Sequence, residues 1–244
     1  MAGRVDTRYW RFCLWMGPLF VAVFFVCWGV LGHNFPPFTP DTPASEVAGW
    51  YRLHAIGVHL GMVIAMSFAP AYGVWGYAVA KVLEQAGGEK DSLIVQLARV
   101  GAAWTTITLL VPTSFWLTAA FRPEALPDWM IQMLYDMAWL LIDLAYAVTS
   151  VQLLALGVGF LADRRAAPLV PKWLAWYGIW VGFMFVLECV MPFFRNGAFA
   201  RSGVLNFWIE FLIWMAWVPV LTGYALKAVG RIEAEDASGV PRRG

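Results

Sequence analysis

Charged residues are scarce in this chain of 244 residues: 14% are Asp, Glu, Lys or Arg, whereas 61% are hydrophobic. A soluble domain carries roughly 25% charged and 45–50% apolar residues, so this composition excludes an ordinary water-exposed surface. The formal net charge of +1 leaves no basic face for nucleic acid and no acidic tail. The composition therefore indicates a membrane protein that does not bind nucleic acid.

Cysteine, histidine and lysine are also few. The three cysteines, Cys13, Cys27 and Cys189, have no CxxC spacing, which excludes a disulfide framework. The chain contains no HExxH, no repeated histidine box and no glycine-rich phosphate loop. No lysine lies in the interior of a predicted span, where a retinal Schiff base would need it. We therefore predict no cofactor and no metal. A zinc or iron site is kept only as an alternative, because it would require three ligands to converge.

Long apolar runs are what the sequence has in abundance. A helix needs about 20 apolar residues to cross ~30 Å of hydrocarbon with its backbone hydrogen-bonded internally. Six runs qualify, at residues 13–32, 55–80, 100–121, 129–161, 173–194 and 204–227. The first run is of near spanning length and has no small-residue cleavage site, so we interpret it as a span and not as a signal peptide. The sequence predicts an all-α polytopic membrane protein with a six-helix domain over 1–229 and a polar, disordered cytoplasmic tail over 230–244.

The distribution of basic residues predicts the orientation of the spans. With a cytoplasmic N-terminus, 13 of the 17 Lys and Arg residues lie on the cytoplasmic side. The other four, Arg52, Arg122, Arg195 and Arg201, lie outside. Lys and Arg are enriched in cytoplasmic segments, so we predict that both termini are cytoplasmic and that the protein lies in a bacterial inner membrane.

Ionisable residues within the spans predict a candidate site. Each costs about 2.5–3.5 kcal/mol at the bilayer centre on insertion scales, so such a residue is a functional candidate. At about 1.5 Å per residue from the outer end of each span, four of them share one depth: His59, Asp136, Glu188 and Glu210. Thr113 and Ser114, which follow Pro112, lie at a similar depth, and Asp143 lies deeper. The sequence predicts a polar layer in the outer third of the bundle, supplied by at least four helices.

The fourth span carries a polar stripe. Gln132, Asp136, Asp143 and Ser150 follow one another at offsets of four, seven and seven, which keeps them on one face of a helix. Such a stripe can line a proton or solute path. It can equally form hydrogen bonds that hold neighbouring helices together, and the sequence leaves both interpretations open.

Each candidate also has a purely structural interpretation. His54 lies at the outer boundary and is typical of an interfacial residue, whereas His59 lies between Gly57 and Gly61 and could contact another helix. The two histidines are five residues apart, roughly 140° around a helix, which argues against one shared metal centre. Glu188 and Glu210 could instead pair with outer arginines.

Tryptophan is abundant, with 15 residues. Trp139 follows Asp136 by three residues and Trp214 follows Glu210 by four, so each indole shares a side of its helix with a carboxylate. That pairing suits an apolar or cationic ligand through stacking and cation–π attraction. Ordinary packing in the core or against lipid is the alternative.

Three stretches, YRLHAIGVHLGM from Tyr51, AAFRPE from Ala119 and YDMAWLLID from Tyr135, carry a family resemblance. They resemble a group of integral membrane proteins from actinobacteria and proteobacteria that has no assigned activity. The resemblance spans most of the chain and implies six helices. His54 and Asp136 match that group, whereas the chain departs from it at His59, Glu188 and Glu210, so the resemblance does not extend to the whole polar layer.

These patterns favour an inner-membrane protein that binds or transports a small, largely apolar solute, with protonation of Asp136, assisted by Glu188 and Glu210, coupled to binding. Burial favours the neutral form of a carboxyl group, which makes such a group a usable proton site. One alternative is a membrane-embedded acid–base or metal-dependent enzyme that acts on a lipid or terpenoid-like substrate. Another is an accessory subunit whose polar groups face a partner chain. The expected partners are the lipid bilayer, a small hydrophobic molecule, and a second copy or another membrane subunit.

Overall fold

The structure is a computed structural model, which describes residues 7–87 and 92–238. Within these residues the chain is helical, without strands, and six helices are long and apolar enough to cross a membrane. This finding confirms the predicted all-α class and its six spans. The protein is therefore a multi-pass membrane protein.

In the described part of the chain, seven α-helices form the six spans. They are α1 (Thr7–Phe24), α2 (Ala44–Phe68), α3 (Pro70–Gln85), α4 (Leu93–Phe121), α5 (Asp128–Leu161), α6 (Lys172–Leu187) and α7 (Glu210–Ser238). Helices α2 and α3 make one span that is interrupted at Ala69, because Pro70 lacks the N–H that would continue the helix.

Three spans leave α geometry near one end of the bundle. A π-helical segment, Phe25–Leu31, continues α1, a 3₁₀ segment, Glu188–Phe193, continues α6, and a π-helical segment, Val204–Ile209, precedes α7. A 3₁₀ turn is common at the end of an α-helix, whereas π-helical segments are rare and are frequent at functional sites. They place the irregular backbone at the level where the polar layer is predicted.

The last span is longer than the sequence predicted. Helix α7 continues to Ser238, so the expected disorder from residue 230 is wrong for its first nine residues; residues 239–244 lie outside the described residues. Contacts with two other segments hold this helical extension. Arg231 donates hydrogen bonds to the carbonyl oxygens of Ala167 and Pro168, and Glu233 pairs with Arg11.

The helices pack in a closed arrangement. Helix α3 packs on α1 and α4, α4 on α5, α5 on α6, and α7 on α6 and α1, while α2 packs on α4 and α5. Helices α4 and α5 approach closely because Gly101 faces the backbone of Gln152, where an added Cβ would lie 2.6 Å from the amide nitrogen. Tyr72 donates a 2.8 Å hydrogen bond to Gln152 and Trp75 one of 2.8 Å to Thr222, which ties α3 to α5 and α7.

The two ends of the bundle differ in what they hold. We call the end that carries the start of α1 and the end of α7 the terminal end, and the other the distal end. The Arg11–Glu233 pair joins the two termini, and Trp10 donates a 2.9 Å hydrogen bond to the Ala78 carbonyl of α3. At the distal end, Arg52 pairs with Asp128 at 2.8 Å.

Candidate functional site

Three carboxyl groups meet inside the distal half of the bundle. Asp143 of α5, Glu188 at the end of α6 and Glu210 at the start of α7 have exposed fractions of 2%, 0% and 1%. Asp143 lies close enough to interact electrostatically with both glutamates, and the two glutamate carboxyls lie within hydrogen-bonding reach of each other. We call Asp143, Glu188 and Glu210 the carboxyl cluster.

Segments of irregular backbone lie directly next to both glutamates of the carboxyl cluster. Glu188 is the first residue of the 3₁₀ segment that follows α6, and Glu210 is the first residue of α7 after its π-helical segment. The change from π to α geometry rotates the Glu210 side chain relative to a regular helix, whereas the change on the other span begins only at Glu188. Both carboxyls therefore lie at the places where their spans change geometry.

The cluster lacks hydrogen-bond donors. Among the described residues, no N–H or O–H group donates to either oxygen of Glu188, to Oε2 of Glu210 or to Oδ2 of Asp143. Buried polar groups in proteins are almost always hydrogen-bonded, and an unpaired buried carboxylate is costly. A function that needs these groups explains their presence better than stability does.

Aromatic rings surround the carboxyl cluster. Tyr146, one turn beyond Asp143 on α5, interacts electrostatically with all three carboxyls, and its ring stacks on Phe185 at 4.7 Å. Phe211, which follows Glu210, lies edge-on to Tyr146 at 6.2 Å and stacks on Trp28 at 5.2 Å. The walls around the cluster are therefore apolar and flat, apart from the Tyr146 hydroxyl.

A larger group of rings lies next to this wall. Trp28, Trp116 and Trp139 contact one another with ring centroids 5.6–5.7 Å apart, and Phe207 lies 6.0 Å from Trp139. All three indoles are essentially buried, and the Nε1 atoms of Trp28 and Trp116 have no hydrogen-bond partner among the described residues. We call Trp28, Trp116, Trp139, Phe207 and Phe211 the aromatic cluster.

Asp136 forms an ion pair apart from the carboxyl cluster. Its Oδ1 accepts a 2.6 Å hydrogen bond from Arg201, whose Nε also donates to the Phe38 carbonyl at 3.1 Å. The Arg201 side chain is only 7% exposed and its guanidinium lies 5.0 Å from the Tyr135 ring, whereas the Asp136 side chain is 42% exposed. Arg201 also interacts electrostatically with Asp143. This Asp136–Arg201 pair therefore lies on the distal side of the carboxyl cluster.

The polar stripe of α5 divides into different roles. Gln132 donates to the Thr42 carbonyl at 3.0 Å, and Ser150 donates to the Gly182 carbonyl of α6 at 2.8 Å. These two residues, like Asp136, hold neighbouring segments together. Asp143 alone among the four contributes to the carboxyl cluster.

The remaining polar candidates lie outside the cluster. His54 is exposed and His59 half-buried, and the Nδ1 atom of each lies within 3.0 Å of the carbonyl oxygen four residues earlier in α2. His59 packs against Phe121, with ring centroids 6.0 Å apart. The hydroxyls of Thr113 and Ser114 donate to the carbonyls of Leu109 and Val111 in their own helix. None of these four side chains is brought to the carboxyl cluster.

His54 belongs to a separate stack at the distal surface. The Trp50 ring stacks on both His33 and His54, at 4.6 and 4.5 Å. Partial burial, and secondarily the nearby His54, lower the pKa of His33 below its usual value. This stack therefore favours a neutral His33 and packs the loop after α1 onto α2.

The two predicted tryptophans are placed differently from each other. Trp139 and Trp214 are both buried, at 1% and 3% exposure. Trp139 belongs to the aromatic cluster, and Trp214 packs against Phe185 at 6.2 Å and Tyr72 at 5.7 Å. Both indoles therefore lie in the protein interior and not against lipid.

Sequence reasoning missed Arg201, Tyr146 and Trp28. The sequence suggests Arg201 only as an outer partner for Glu188 or Glu210, whereas it pairs with Asp136, and Trp28 is fully buried although it lies near a predicted span end. The three-residue spacing of Tyr146 from Asp143 is a signal that could have identified it.

No group of three His, Cys, Asp or Glu side chains in the described part of the chain is arranged to hold a metal ion.

Comparison with protein-family models, with curated protein sequences and with solved structures finds no match to this chain. The resemblance to the actinobacterial and proteobacterial group therefore stays a prediction.

Proposed function

We propose that this protein binds or transports a small, largely apolar solute across a bacterial inner membrane and that the carboxyl cluster couples this process to a proton. The observation that carries the proposal is the burial of Asp143, Glu188 and Glu210, from three different spans, without a hydrogen-bond donor for most of their oxygens. Ionisable residues placed inside a membrane bundle commonly mark proton relays and solute paths.

The chemistry of two facing carboxyl groups supports a shared proton. An ionised carboxylate only accepts hydrogen bonds, so Glu188 and Glu210 can bond to each other only when one of them carries a proton. Two neighbouring carboxylates repel each other, which disfavours ionisation of both glutamates at once. The proton then belongs to the pair and not to either residue alone. Asp143 adds a third carboxyl within electrostatic range.

The aromatic walls support an apolar solute. Phe185, Phe211 and the tryptophans of the aromatic cluster offer flat rings next to the carboxyls, and the indole N–H groups are the hydrogen-bond donors that these rings carry. Rings of this kind bind apolar groups by stacking and cations through their faces. An apolar molecule, with or without one cationic group, complements such walls better than a sugar or an anion does.

The proton site is reassigned within this proposal. The prediction from sequence assigns the leading role to Asp136, but Asp136 is partly exposed and paired with Arg201. We therefore propose the proton site at Glu188, Glu210 and Asp143, and a closing contact on the distal side at Asp136 and Arg201.

The two alternative functions have less support. An enzyme that combines His59 with the carboxyls requires them to meet, and His59 lies against Phe121 instead. An accessory subunit would direct its polar residues outward, whereas the carboxyl cluster is buried inside the bundle.

The proposal predicts pH-dependent uptake that requires Glu210. Purified protein in liposomes is given labelled tetraphenylphosphonium as an apolar cation or labelled indole as a neutral apolar probe. We expect uptake of at least one probe above that of protein-free liposomes, with a rate that changes up to about tenfold per pH unit, as one titrating proton allows. Glu210→Gln should remove the pH dependence, because the amide cannot take up a proton.

Glu46→Gln is the matched control, because Glu46 is an exposed glutamate at the start of α2. It should behave like the unaltered protein. Uptake equal to that of empty liposomes for both probes, or the same pH dependence in Glu210→Gln as in the unaltered protein, would contradict the proposal.

A further inference from the structure

A groove runs along the lipid-facing side of α1, α3 and α4 in the terminal half of the bundle. Its cavity volume is about 890 Å³. On α3 its lining extends from Pro70 to Lys81, a length of about 16 Å at 1.5 Å per residue. One leaflet contributes half of the ~30 Å hydrocarbon thickness, so the length of the groove along α3 matches the thickness of one leaflet.

The groove changes from basic to apolar along its length. Lys81 and Arg99 lie at its terminal end, and Cys13, Val74 and Ala103 line its deeper part. The side chains of Tyr9 and Tyr77 are 66% and 49% exposed and form its aromatic edges. Tyrosine at this position is typical of the membrane interface, where a ring borders both headgroups and acyl chains.

The two basic groups have different partners. Arg99 pairs with Glu84 of α3, which fixes its guanidinium beside the groove. The Lys81 ammonium lies 5.0 Å from the centre of the Trp10 ring, and no carboxylate of the described residues pairs with it. The Trp10 indole is itself held by its hydrogen bond to the Ala78 carbonyl. This wall of the groove therefore presents a positive charge that no carboxylate in the described part of the chain balances.

We propose that this groove binds one anionic phospholipid, with the phosphate at Lys81 and Arg99 and an acyl chain along Cys13, Val74 and Ala103. Charge complementarity argues for this occupant, because a basic pocket between membrane helices attracts an anionic headgroup. The apolar floor, as deep as one leaflet, suits a chain attached to that headgroup. This inference does not depend on the function proposed for the carboxyl cluster.

Native mass spectrometry of the detergent-solubilised full chain tests the proposal. The protein is titrated with dioleoylphosphatidylglycerol and, separately, with dioleoylphosphatidylcholine. We expect the anionic lipid to bind more tightly, and Lys81→Gln to weaken its binding about fivefold, the effect of one basic group near the surface, without weakening the zwitterionic lipid. Ala103→Trp should cause loss of both lipid adducts, because the indole fills the groove.

Two matched controls and one competitor complete the test. Lys227 also lies 5.0 Å from an aromatic ring, that of Tyr224, but does not line the groove, so Lys227→Gln should leave lipid binding unchanged. Ile107→Trp adds the same bulk on the lipid-facing side of α4. Equal effects of the Lys81 and Lys227 changes, equal binding of the two lipids, or displacement of phosphatidylglycerol by inorganic phosphate alone would overturn the proposal.

Discussion

Replacing Glu188 with methionine is expected to raise the stability of the protein by about 1–3 kcal/mol, the usual cost of a buried polar group without a hydrogen-bond partner. Glu188 is fully buried, and neither of its carboxyl oxygens has a hydrogen-bond donor among the described residues. Methionine has a similar length and a flexible apolar side chain, so it fills the same space without the cost of burying a charge or a proton. The midpoint of unfolding in detergent, measured by tryptophan fluorescence, reports the change.

Asp163 provides the matched control for Glu188. Its side chain is fully buried too, but its two oxygens accept hydrogen bonds from the backbone N–H groups of Arg165 and Leu169, at 3.0 and 2.9 Å. Asp163→Leu should therefore destabilise the protein, because it leaves two buried donors without acceptors. A loss of stability in Glu188→Met as large as in Asp163→Leu would mean that Glu188 is a structural residue.

Replacing Arg201 with methionine is expected to lower stability by about 2–3 kcal/mol. The guanidinium holds Asp136 and the Phe38 carbonyl together and packs on Tyr135. Its removal leaves the Asp136 carboxylate without its cation, next to the nearly buried position of the Arg201 side chain. Water compensates in part, because the Asp136 side chain is 42% exposed. Urea unfolding of the detergent-solubilised protein measures the loss.

The same variant also tests the closing contact at the distal end. Arg195→Met is the control, because Arg195 is an exposed arginine in the same loop and its loss should change stability little. Adding Asp136→Leu to Arg201→Met should recover part of the lost stability, since the unpaired carboxylate is then gone. Equal destabilisation by the Arg195 and Arg201 changes, or no recovery in the double variant, would contradict the assigned role of the pair.

The six spans could be predicted because the apolar runs are long and the physical requirement is local. Each span must satisfy its own backbone hydrogen bonds, so α5, predicted at 129–161, is found at Asp128–Leu161. The extension of α7 to Ser238 depends instead on contacts between segments, such as the Arg11–Glu233 pair. A hydropathy profile of the chain contains no information about contacts between distant segments.

The candidate site could be predicted only in part, for a similar reason. Depth below the membrane surface follows from residue number, and it selected Glu188, Glu210 and Asp143, whose side chains are buried inside the bundle. Direction around the helix axis does not follow when the helix leaves α geometry, as it does at Glu188 and before Glu210. Depth alone therefore also selected His59, which lies against Phe121, and Asp136, which lies against Arg201.

Infrared spectroscopy of the carboxyl groups tests the central claim most directly, because a protonated carboxyl has a carbonyl stretching band that a carboxylate lacks. The account predicts such a band at neutral pH in the unaltered protein in liposomes. It also predicts that the band is lost in the Glu188→Gln/Glu210→Gln variant and is retained in Glu46→Gln. Absence of the band at neutral pH, or its persistence unchanged in the double variant, would contradict a proton held between Glu188 and Glu210.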